Sequence, residues 1–234
     1  MMPPVIRAFH DLEAASLALA RDVAAELRRV LAAKPRATLI IPGGTTPARF
    51  LAHLGAEALD WPRITVLPTD ELCVSPDDAR SNEKMIRQAF APVREGRAPY
   101  LTLHAAEGEA PEAAATRLSD AVAGLGIPDV LVSGMGEDAH IASLFPQQFL
   151  LSPDQPAVFA TSPPGLEARL SLSAPLLAGV PFRAILIAGA GKRAMLDKAI
   201  ESADALNFPV RVLMEKEYAL HIYFAEKDNS KPMV

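Results

Sequence analysis

The segment Ala37-Thr38-Leu39-Ile40-Ile41-Pro42-Gly43-Gly44-Thr45-Thr46-Pro47 passes from a short apolar run through a proline–glycine turn into a helix start. A run of this length, apolar on both alternating sets, reads as a strand buried on both faces. Thr46 suits a helix cap and Pro47 the first helical position, so a helix is expected over about 47–55. The same grammar recurs on either side. Before it, Leu12, Ala15, Leu19, Val23, Leu27, Val30 and Leu31 fall at helical spacing within 10–33. After it, strands are expected at 64–67, 100–103, 130–132, 157–160, 169–172, 184–188 and 220–224. Helices are expected from the capping Ser81 to about 90, over 110–123 and over 191–201. The polar tail Glu226 to Val234 is expected to fray. Strands alternating with helices predict an α/β fold, a mostly parallel sheet with helices on both faces, spanning 1–234 as one domain.

In such sheets ligands bind beyond the carboxyl ends of the strands. The segments 42–47, 68–73, 133–140 and 189–192 each follow an expected strand, so all converge on one edge. Gly43, Gly44, Thr45 and Thr46 combine close backbone approach with helix-start N–H groups and hydroxyls, which suits a phosphate and equally an ordinary capped turn. Thr69-Asp70-Glu71-Leu72-Cys73 sets two carboxylates just after a strand, either to orient hydroxyls or as an exposed acidic turn. Cys73 reads as a small apolar filler. Ser133-Gly134-Met135-Gly136-Glu137-Asp138-Ala139-His140 brings a carboxylate and an imidazole to a strand end. Histidine is suited to take a proton from water near neutral pH, with Asp138 to fix its tautomer; alternatively Asp138 caps a turn and His140 packs beside it. Ser133 and Ser143 lie in no Gly-x-Ser-x-Gly elbow. Ala188-Gly189-Ala190-Gly191-Lys192-Arg193 places Lys192 at a helix start. Leu186 and Arg193 stand where a nucleotide-binding phosphate loop needs glycine and Ser/Thr, leaving Lys192 as a simple phosphate partner or a solvated lysine. Arg169 is a second candidate cation.

The bulk numbers narrow the classes. A net charge of −5 with no Lys/Arg block argues against a nucleic-acid partner. No apolar run reaches the ~20 residues a membrane span needs, and the start lacks the pattern of a signal peptide. One cysteine permits no intrachain disulfide, which suits a reducing, cytoplasmic compartment. The five histidines form no metal-ligand spacing, so no metal is expected.

Together, and in this order, the motifs Gly43-Gly44-Thr45-Thr46-Pro47, Thr69-Asp70-Glu71 with Ser81-Asn82, Gly134 to Pro146, Arg169 to Ser173 and Gly189-Ala190-Gly191-Lys192 resemble the 6-phosphogluconolactonase family. The resemblance covers nearly the whole chain. It implies a Rossmann-like fold shared with glucosamine-6-phosphate deaminases and ribose-5-phosphate isomerases, and hydrolysis of a sugar-phosphate lactone, 6-phosphoglucono-δ-lactone, without cofactor or metal. It assigns His140 as general base, Asp138 as its acid partner, and Lys192 with the Gly43–Gly44 loop as phosphate ligands. Arg169 and Asp70 join the substrate site, and the backbone of Gly134 and Gly136 is the expected oxyanion holder. A monomer or weak homodimer is expected. Two positions depart from the family pattern. Leu72 replaces an arginine that binds phosphate, a loss Arg80 or Arg169 is expected to make good. Ala139 replaces glycine, at a cost of about 1 kcal/mol if the backbone there has positive φ. The rival readings are a glucosamine-6-phosphate-type deaminase or isomerase, against which Ser143-Leu144-Phe145-Pro146 stands where that group carries Asn-Glu-Pro, and a non-catalytic sugar-phosphate sensor.

Overall fold

The computed structural model describes residues 3–149, 151–214 and 218–227. In chain order the elements begin with β1 (Val5–Asp11), α1 (Leu12–Ala33), β2 (Ala37–Ile41), α2 (Ala48–Gly55), β3 (Ile64–Pro68) and β4 (Asp70–Leu72). Then follow α3 (Asn82–Ala89), α4 (Ala91–Arg94), α5 (Pro111–Ala123), β5 (Val130–Ser133), β6 (Val158–Thr161) and β7 (Arg169–Leu172). The last are α6 (Ala174–Gly179), β8 (Phe182–Ala188), α7 (Ala190–Glu201) and β9 (Leu220–Lys227). A six-stranded sheet has the order β1-β9-β8-β5-β2-β3, and every pairing in it is parallel.

The period of two along each strand splits the core into two layers. Leu39, Ile41, Val130, Val132, Ala184, Leu186 and Tyr223 face one layer, covered by α1, α2 and α3. Ile40, Leu131, Ile185, Ile187, Ile222 and Phe224 face the other, covered by α5, α6 and α7. The α/β architecture with a parallel sheet covered on both faces therefore stands as expected.

A second sheet, antiparallel and three-stranded in the order β4-β7-β6, was not foreseen as such. Its β4 is the Asp70-Glu71-Leu72 segment, which pairs with β7 and is buried instead of forming an exposed acidic turn. The expected strand at 100–103 reduces to one bridge between Tyr100 and Val66. Val66 receives and returns its hydrogen bonds through Pro99 O and Leu101 N; proline, lacking an N–H, supports no longer ladder. β1 was missed because its residues alternate between exposed and half-buried at the sheet edge. Thr46 does not cap α2, whose first turn follows Pro47 with no side-chain cap. Ser81 does cap α3, accepting from Lys84 N at 3.1 Å. Glu226 and Lys227 belong to β9, and the rest of the expected fraying tail lies outside the described residues.

Candidate active site

Because β2, β3, β5 and β8 run parallel, the loops after them meet at one edge of the sheet. There they enclose a cleft of about 360 Å³ lined by the Pro42–Pro47 loop, Asp70, Gly134, Gly136, His140, Arg169 and Lys192, among others. The candidate residues Gly43, Gly44, Thr45 and Thr46 form one wall, and Lys192 projects from the first turn of α7. Lys192 makes no ion pair with any described residue.

His140 lines the same cleft. Its Nδ1 lies 2.6 Å from Asp138 Oδ1, the same oxygen that accepts the His140 backbone N–H at 3.2 Å. Burial pushes the Asp138 carboxyl upward, but the hydrogen bonds from the His140 ring and backbone outweigh it and hold the group below its ordinary value. A carboxylate at this position favours the neutral tautomer with the proton on Nδ1, which leaves Nε2 as the acceptor. The imidazole rests against Phe145 with ring centroids 4.9 Å apart. Its side chain keeps 33% of its surface exposed, so it is not sealed in apolar packing. The loop is built around this ring. A Cβ on Gly136 would lie 2.1 Å from His140 Nδ1, and Ala139 adopts φ 68°, the left-handed conformation that makes glycine the usual choice. The Gly136 N–H already donates to His140 O at 2.9 Å. Gly136 therefore serves as the seat of the imidazole and is withdrawn as an oxyanion donor; Gly134 stays in the lining.

β4 and β7 supply the remaining wall. Period two sends Asp70 toward the cleft and Glu71 away from it. Asp70 is buried and accepts from Thr69 Oγ1 at 2.8 Å and Ser143 Oγ at 2.6 Å. Arg169 Nη1 lies 3.6 Å from Asp70 Oδ2, its guanidinium carbon stands 5.6 Å from the centre of the Phe145 ring, and its buried Nε has no partner among the described residues. Phe145 is thus a shared wall between the imidazole and the guanidinium. Arg80, the other cation expected to offset Leu72, is not in the lining. It is exposed and clamped by Asp78 and Glu167, charges near it in sequence and space that outbid a distant ligand.

Three residues given no site role from the sequence bear on the cleft: Asn82, Ser143 and Phe145. Asn82 lines the cleft and donates to Asp70 O at 2.8 Å. A Cβ on Gly43 would lie 2.2 Å from Asn82 Oδ1, so the glycine exists partly to admit this side chain. The capping Ser81 was the available signal, since it fixes where the next residue projects. Cys73 packs against the core, and burial raises its thiol pKa, which makes it a poor nucleophile. Among the described residues no group of three or more His, Cys, Asp or Glu could hold a metal ion.

A carboxyl-edge cleft with an acid-paired imidazole, a hydroxyl-rich glycine loop and two cations in its lining is the kind of site at which α/β enzymes bind small ligands. Comparison with known proteins resolves the class further. The family model for glucosamine-6-phosphate isomerases/6-phosphogluconolactonase matches residues 10–222, and the chain belongs to this family. It is 35% identical over 228 residues to a 6-phosphogluconolactonase of Rhizobium meliloti (strain 1021), covering 93% of this chain and 97% of that one. It is 34% identical over 221 residues to a 6-phosphogluconolactonase of Pseudomonas putida, covering 91% of each. The crystal structure of a 6-phosphogluconolactonase from Shewanella baltica OS155 superposes with a TM-score of 0.86 at 26% identity, over 95% of this chain and 97% of that one. Among the described residues no helix is long and apolar enough to cross a membrane.

Proposed function

We propose that this enzyme hydrolyses 6-phospho-D-glucono-1,5-lactone to 6-phospho-D-gluconate, with His140 as the general base. The observation that carries the proposal is the His140–Asp138 pair at 2.6 Å, opening onto the same cleft as the glycine loop and Lys192. The substrate phosphate rests on the Gly43–Thr46 loop, Lys192 and Arg169, and this grip sets the lactone carbonyl before the imidazole. His140 Nε2 takes a proton from water as the water oxygen bonds to the carbonyl carbon. The Gly134 N–H steadies the oxygen on which negative charge develops. The intermediate then collapses, the bond from that carbon to the ring oxygen breaks, and His140 returns its proton to the departing oxygen. Asp138, ionised throughout, holds the ring and offsets its transient positive charge.

The deaminase reading is less well supported. It would use Asp70 as a free base, whereas Asp70 is buried and already engaged by Thr69, Ser143 and Arg169. Freshly generated lactone, followed by acid release, tests the proposal. His140→Ala is expected to lower kcat on the order of 10²–10⁴. An unchanged kcat, or ammonia release from glucosamine 6-phosphate, would remove it.

A further inference from the structure

Glu71 lies next to Asp70 yet takes no place in the cleft. It is fully buried. Its Oε1 accepts the backbone N–H groups of Leu72 and Asn82, both at 2.8 Å. Its Oε2 accepts the Glu83 N–H at 2.7 Å and the Ser81 hydroxyl at 3.1 Å. His104, whose side chain is 9% exposed, closes this cup with Nε2 at 3.3 Å from Oε2, and stands 3.7 Å from Glu83. An acceptor with two oxygens is therefore plugged into the free N–H groups that start α3, where a helix favours negative charge. Burial raises the Glu71 pKa, and the N–H groups pull against that rise.

The first residue of α3 is Asn82, and this side chain wedges between Gly43 and the Asp70 carbonyl. Whatever fixes the start of α3 thereby fixes the wedge, and the wedge bears on the glycine loop. The imidazole loop 134–140 hangs from β5 and makes no contact with the cup in the hydrogen-bond pattern. We propose that Glu71, closed in by His104, is a positioning residue for the phosphate end of the cleft, acting through α3 and Asn82 on the Gly43 loop. The proposal rests on the phosphate assignment of that loop but not on the chemistry at His140.

Glu71→Gln keeps the shape and spoils the acceptor. Whichever oxygen becomes NH₂, it faces at least one of the N–H groups now bound. The expected result is a rise on the order of tenfold in the Kd for inorganic phosphate and in KM for the lactone, with kcat changed less than KM. Phosphate binding is read by calorimetry, independently of turnover. An unchanged Kd, or a kcat that falls while Kd holds, overturns the proposal. Should Glu71→Gln fail to fold, His104→Ala tests the same claim from outside the cleft. A two- to fivefold rise in the phosphate Kd, on the order of 0.5–1 kcal/mol, is then expected, and a wild-type Kd overturns it. Wild-type protein that binds phosphate but leaves the lactone untouched would instead sink the lactonase reading alone.

Discussion

Leu72 and Arg169 are directly opposed in the β4–β7 ladder. Opposed residues put their side chains on one face about 5 Å apart at Cβ. Where the resembling family projects an arginine from position 72, this chain projects one from the facing strand, and Arg169 already lines the cleft. Arg80, tied to Asp78 and Glu167, has no comparable view of it. Arg169→Ala is accordingly expected to raise KM and cut kcat/KM by about ten- to a hundredfold, the loss of a charge-assisted hydrogen bond of about 1.5–3 kcal/mol. Arg80→Ala should stay within about twofold on the same steady-state assay, since nothing in the cleft depends on it. The opposite ranking would reverse the assignment. At this scale the sequence disclosed residue types well and partners poorly. His140 with Asp138 was legible because the two lie close in sequence. The burial of Asp70 against Ser143 was not, because those residues meet only after the two sheets have packed. The left-handed conformation at Ala139 could be anticipated only through comparison with the glycine usual there.

Strands buried on both faces announced themselves, as the uninterrupted run Ala37–Ile41 shows. Those with a different environment did not. β1 is half-covered at an edge and reads as mixed polarity. β4 spends its three residues turning from one sheet to the other, too short for any periodicity. Helix caps were legible only in part: Ser81 at the start of α3 was read as one, Asp11 at the start of α1 was not, and Thr46 does not cap α2. Asp11 Oδ1 accepts from Ala14 N at 2.9 Å at the start of α1, and this bond is the largest influence lowering its pKa. Removing the cap in Asp11→Ala should lower Tm by a few degrees. Activity at low temperature should persist, because α1 meets the cleft nowhere in the lining. A thermal melt beside an assay separates the two effects; a loss of kcat without a loss of Tm would contradict this account of α1.

The whole molecule carries many carboxylates held ionised by partners. Asp78 and Glu109 are lowered to about 2 by side-chain hydrogen bonds from Arg80 and Arg117 respectively, and Asp11, Glu13, Asp138 and Asp204 are lowered as well. A group whose folded pKa is depressed contributes its stability above the unfolded value and loses it as pH falls through the folded one. Among the described residues, Glu71 is the one carboxylate with a raised value, pushed up by burial. Tm is therefore expected to hold from neutrality to about pH 5 and to fall progressively toward pH 2, less steeply in added salt because most of these pairs are exposed. A Tm that rose on acidification would refute the reading of these pairs.

β9, the last of the described strands, sits between β8 and β1, and β1 has no other neighbour among the described strands. On the ribosome, β1 must therefore wait unpaired for some two hundred residues of synthesis. α1, which packs over β8 and β9, must wait for its floor. The glycine loop, imidazole and cations of the cleft all lie between β2 and α7, but the sheet that supports them closes only when β9 threads between β8 and β1. Closure over so long a separation is of the kind that slows folding, and until it happens an edge of the sheet stays open to other strands.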